Sequence, residues 1–176
     1  MIRKAIITEQ PPAGKYTEQI FEAPTSTDRW TWVKFEDEDY NEFYGQFRGA
    51  PNSVGISHKH STCYVVTSHY LYVIDCQNPA NYTAQDFWDC GYTLKNFTVT
   101  PNGDPIFSDD YVIFTIGSSF EHQTVLDTPI PVDMIQFQHW DNELLHISCE
   151  EFLVGTAVNL VLEADTMKIR FKRNNE

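Results

Sequence analysis

The chain has 176 residues, 41% of them apolar and 14% aromatic, and a formal net charge of −13. That length and aromatic content are enough to bury the core of a single domain spanning residues 1–176, and they exclude a disordered or low-complexity chain. Twelve Lys and Arg against 25 acids argue against nucleic acid and anionic membrane as partners, because both are bound by neutralising phosphate with cations.

In chain order, the first candidate strands are IRKAIIT (2–8), YTEQIFE (16–22) and WTWVKF (30–35), with PPAG and APTSTD as loops between them. FEDEDYNEFYG (35–45) follows, four consecutive acids running into aromatics. Tyr40, Phe43, Tyr44 and Phe47 stand at i, i+3, i+4 and i+7 and predict one short helix. Asp39 would be its N-cap and Glu42 the capping-box partner, with Glu36, Asp37 and Glu38 at the positive end of the helix dipole and Gly49 ending it.

The remainder reads as short strands rich in β-branched and aromatic residues: SVGIS (53–57), TCYVVT (62–67), YLYVID (70–75), FTVT (97–100), YVIFTIG (111–117), MIQFQHW (134–140), LLHIS (144–148), VNLVLEA (158–164) and MKIRFKR (167–173). TPNGDP, SDD, WDNE and EADT supply the turn chemistry between them. A faint repeat relates SVGIS–CYVVTS–YLYVID to NFTVTP–DPIFSD–YVIFTIG, with Tyr70 and Tyr111 opening the last strand of each three-stranded unit, and a third unit of four strands follows. Three blade-like units cannot close a propeller. The expected fold is therefore all-β, mainly antiparallel, with one short helix: stacked meanders in a sandwich or partial-propeller arrangement.

Charge is unevenly placed. Residues 49–167 hold two bases, Lys59 and Lys95, against fifteen acids, whereas KIRFKRNNE at the end holds four bases and one acid. Such a chain projects a negative field and favours a cationic partner. Apolar runs such as LYVI and YVV are far short of the roughly 20 residues that span a bilayer. In MIRKAIITEQPP only AII follows the bases, too short for a signal-peptide core of about 7–15 residues, so a cytoplasmic location is expected. Cys63, Cys76, Cys90 and Cys149 form no CxxC pair and are expected as structural free thiols.

Candidate chemistry is sparse. His58 and His60 before Cys63 form the best metal-like cluster, but no second ligand pair follows, so turn histidines and no metal are expected. Paired acids such as Asp109–Asp110 and Glu150–Glu151, together with the tryptophans, leave a second expectation open: a carbohydrate- or small-molecule-binding β domain, including a glycoside-acting enzyme. No GxSxG elbow, glycine-rich phosphate loop or HExxH is present, and neither an enzyme nor a cofactor is expected. Acid–aromatic neighbourhoods are the candidate partner-binding residues: Asp37, Glu38, Tyr40 and Glu42; Trp88 and Asp89 with Asp86; Asp109 and Asp110 with Tyr111; Trp140 and Asp141; Glu150 and Glu151.

With FEDEDYNEFYGQF near its start and LLHISCEEF near its end, this small, acidic, aromatic-rich β chain resembles the immunity proteins of bacterial polymorphic-toxin systems. The resemblance lies in overall character and carries over no fold and no site residues. It implies a non-enzymatic cytosolic protein that binds and neutralises a cognate toxin domain with a basic surface. Steering by opposite charge and a few aromatic anchors would supply the affinity. Oligomeric state is not legible in the pattern.

Overall fold

The computed structural model describes residues 1–25, 27–87, 93–117 and 122–173. It divides into two compact units, Met1–Thr93 and Leu94–Glu176, each containing two four-stranded sheets. Trp88, Asp89 and Cys90 lie outside the described residues. Among the described residues, no helix is long and apolar enough to cross a membrane.

In the first unit, β1 (Ile2–Thr8), β2 (Thr17–Phe21), β3 (Trp30–Asp37) and β4 (Glu42–Arg48) form a sheet in the order β1-β3-β4-β2. Its pairs are antiparallel except β2 with β4, which run parallel with Phe21 beside Phe47. The second sheet is a meander of β5 (Pro51–Ser57), β6 (Thr62–Thr67), β7 (Tyr70–Asp75) and β8 (Tyr82–Asp86). Period-two alternation turns Val33 and Phe35 of the first sheet toward Cys63, Val65, Tyr72 and Ile74 of the second, and these close one buried cluster. Tyr side chains in this core keep their hydroxyls bonded: Arg48 N donates to Tyr72 Oη at 3.0 Å, and Tyr70 Oη donates to the Thr25 carbonyl at 3.0 Å.

The expected helix over 39–47 is a strand. Glu36 and Asp37 close β3, residues 38–41 turn, and β4 returns antiparallel with Phe35 opposite Phe43. Two local facts decide this. Asp37 Oδ1 accepts hydrogen bonds from the backbone of Asp39 (2.8 Å) and Asn41 (2.9 Å), and Asn41 Nδ2 donates to Oδ2 (3.0 Å), so the acid caps a hairpin turn instead of a helix. Phe43, Gly45 and Phe47 also alternate along one strand face, and a Cβ on Gly45 would lie 2.6–2.9 Å from the rings of Phe47, Phe35 and Phe21. The missing side chain makes room for that aromatic layer, in which Phe21 and Phe47 stack at 4.4 Å and Phe35 and Phe43 at 4.8 Å. Gly49, read as a helix stop, follows β4 at φ 105.

In the second unit, β9 (Asn96–Val99), β10 (Pro105–Ser108), β11 (Ile113–Ile116) and β12 (Gln123–Leu126) form one meander. The other is β13 (Val132–Asp141), β14 (Leu144–Glu151), β15 (Ala157–Glu163) and β16 (Lys168–Phe171). Ile106, Ile113 and Leu126 from the first pack with Ile135, Leu145, Ile147, Leu160 and Leu162 from the second. The nearly all-β, mainly antiparallel, sandwich-like expectation therefore holds. The repeated unit has four strands, not three, because β8 and β12 complete the first two meanders. Tyr70 opens β7 and is fully buried, whereas Tyr111 lies in the turn two residues before β11 and is 55% exposed.

Candidate partner-binding surface

Two of the five acid–aromatic neighbourhoods meet in the second unit. Asp109 Oδ1 accepts hydrogen bonds from Tyr111 N (2.7 Å) and Val112 N (2.8 Å), an Asx turn that presents the Tyr111 ring to solvent. Asp110 Oδ2 lies 3.6 Å from Lys95 Nζ, and its carbonyl accepts the Ile135 amide, tying the turn to β13.

The second neighbourhood closes β14. After Glu150 and Glu151 the chain reverses through Phe152, Leu153, Val154 and Gly155, with the Glu151 carbonyl accepting the amides of Val154 and Gly155. Leu153 (φ 70) and Gly155 (φ 73) both take left-handed backbone. Phe152 N donates to the Pro131 carbonyl at 3.0 Å, which holds the turn against the segment leading into β13. The Tyr111 and Phe152 rings meet edge to face at 6.1 Å. An open cleft of about 290 Å³ lies beside Tyr111, bounded by Val125, Leu126 and the Pro129–Pro131 segment.

The result is an apolar ridge held in place by backbone bonds. Phe152, Leu153 and Val154 are 41%, 91% and 65% exposed, and Val125 and Met134 are also exposed. Asp109, Asp110, Glu150 and Glu151 border it, and Lys95 is the single base against twelve acids from Leu94 to Met167. An exposed apolar patch with a charged border has the composition of a protein-docking surface.

Comparison with protein-family models, with curated proteins and with solved structures finds no match.

The remaining candidates are apart from this ridge in sequence and in hydrogen bonding. At the β3–β4 hairpin, Tyr40 is 81% exposed at φ 64, but the acids around it are engaged: Asp37 caps the turn, Glu38 pairs with the N-terminal amine at 3.5 Å, and Glu42 pairs with Lys34 at 2.5 Å. The hydrogen bonds from Asn41 hold the Asp37 carboxyl below its ordinary range. Trp140 is half-buried against the core, its Nε1 donating to Thr98 Oγ1 at 2.9 Å, and Asp141 accepts from Asn142 Nδ2 in the exposed β13–β14 turn. Arg48 covers the Trp30 ring at 3.7 Å, so that tryptophan has a structural partner. His58 and His60 are exposed in the β5–β6 turn. Among the described residues no three His, Cys, Asp or Glu side chains group as metal ligands.

Sequence reasoning missed Phe152, Leu153, Val154 and Val125. The available signal was the run FLVG directly after Glu150–Glu151, three apolar residues leading into a glycine outside any alternating strand pattern.

Proposed function

We propose that this protein is a non-enzymatic binding protein that docks a basic protein partner on the Tyr111–Phe152–Leu153–Val154 ridge, as an immunity-type inhibitor of a cognate bacterial toxin domain. The observation that carries the reading is that Leu153, 91% exposed, sits on a backbone-bonded turn between two acid pairs. Leu153 is exposed together with Phe152, Val154 and the Tyr111 ring that meets Phe152, and a contiguous exposed apolar patch, unlike a single exposed residue, supports an interaction site. The acids would steer a cationic partner, and the ridge would supply the desolvated anchors. The cleft beside Tyr111 could accept an apolar side chain from that partner.

The test pairs capture with substitution. Tagged protein captures partners from native-host lysate at low salt, and any stoichiometric basic protein is then purified and assayed against Leu153→Asp and against Glu150→Lys/Glu151→Lys. Loss of binding by at least about tenfold in both variants supports the reading, since a hot-spot anchor contributes roughly 2 kcal/mol or more. Co-expression should also relieve growth inhibition by the partner. Retained affinity in both variants, or no relief of growth, would overturn it.

A further inference from the structure

The sheet of β13–β16 carries a second feature of opposite character. His139 on β13 and His146 on β14 are directly paired across the ladder, with ring centroids 4.7 Å apart and planes 9° from parallel. They line an open cavity of about 120 Å³ with Gln138, Asn159 and Lys172. That volume is well below the roughly 300–1,000 Å³ of sites that enclose drug-sized ligands, so the cavity suits one small group.

The lining holds no carboxylate, in a chain with 25 acids. On the same sheet Glu163 is engaged by Arg170, whose Nε donates to Oε1 at 2.8 Å. Lys172 has no carboxylate partner among the described residues, and its amide donates to the Asn159 carbonyl at 2.9 Å, which fixes its backbone beside the cavity. Gln138 Nε2 is committed to Ser148 Oγ at 2.8 Å. The cavity thus offers an ammonium, two imidazoles and the Asn159 amide, a donor set with no charged acceptor. Two imidazoles stacked this closely repel one another when both carry a proton. An anion bound beside them relieves that repulsion and accepts from both rings.

We propose that this cavity is an oxyanion site for a phosphate group, with Lys172 supplying the fixed charge, His139 and His146 the imidazole donors and Asn159 a neutral donor. One ammonium with imidazole and amide N–H donors lining the same cavity favours a tetrahedral phosphate over a carboxylate, which offers fewer acceptor oxygens and less charge. The site lies on residues not used by the docking ridge and stands or falls separately from it.

The test follows the histidine ring resonances of the full, untagged chain at pH 6.5 and constant ionic strength, during titration with inorganic phosphate and, separately, glycerol phosphate. Saturable movement of His139 and His146, with His58 and His60 unmoved, is the expected result. The tighter of the two probes tells a free phosphate from a monoester. Lys172→Met, at a half-buried position just after β16, should weaken binding about tenfold or more, because a hydrogen bond to a charged group is worth roughly that factor or above. His139→Gln, at an exposed position, should weaken it without unfolding the chain. Equal movement of all the histidines, an equal response to acetate, or unchanged affinity in Lys172→Met would overturn the proposal.

Discussion

Tyr111 and Phe152, from turns that close different sheets of the second unit, meet edge to face at 6.1 Å. That contact unites Asp109–Asp110 with Glu150–Glu151 and makes one surface of two sequence neighbourhoods. Substitutions here should separate binding from stability. Leu153→Asp, at a 91% exposed position, should change unfolding free energy by no more than about 0.5 kcal/mol while abolishing partner capture. Tyr111→Ala should cost about 0.5–1.5 kcal/mol through loss of the ring pair. Urea denaturation of both variants, read beside binding, checks the distinction.

Gly45 is expected to tolerate no side chain. A Cβ there would come within 2.6 Å of Phe47, 2.8 Å of Phe35 and 2.9 Å of Phe21, so Gly45→Ala should destabilise by about 1–3 kcal/mol through overpacking. A lowered denaturation midpoint with unchanged slope is the expected reading. A midpoint equal to that of the parent would mean that the aromatic layer yields without cost.

Asp37 should contribute to acid sensitivity. Its carboxyl titrates below the ordinary value of 3.8 because Asn41 and the Asp39 amide donate to its charged form. A depressed folded-state value means that the contribution is present above about pH 4 and is lost as pH falls through the folded value. Asp37→Asn should therefore be less stable than the parent at pH 6, and the difference should narrow below pH 4. Thermal unfolding of both proteins from pH 2 to 6 measures the gap.

The buried thiols should be slow to react. Burial pushes the Cys76 thiol up to about 11 and raises Cys63 and Cys149 as well, so little thiolate forms at pH 8. Alkylation of the native protein at that pH should leave these three sites unlabelled, with full labelling after denaturation. Site-resolved mass spectrometry reads the outcome, and rapid native labelling of Cys63 would contradict its burial.

The sequence by itself determined the β class, most strand positions and the negative field. Alternation in MKIRFK, turn residues at 100–105 and 140–143, and the shortage of bases between 49 and 167 are local properties that no packing can reverse. What only the tertiary structure decided was the fate of 39–47 and the place of the site. Phe43, Tyr44 and Phe47 satisfy a helical face as readily as a strand, and the choice fell to the rings of Phe21 and Phe35 waiting across the sheet, contacts that local spacing does not encode. The ridge depends likewise on Tyr111 reaching Phe152 and on Pro131 holding the 152–155 turn, long-range contacts between segments that are separate in the chain. The acids on its border were legible one by one. Their assembly around Leu153 was not, because a turn's exposure is set by what packs beneath it.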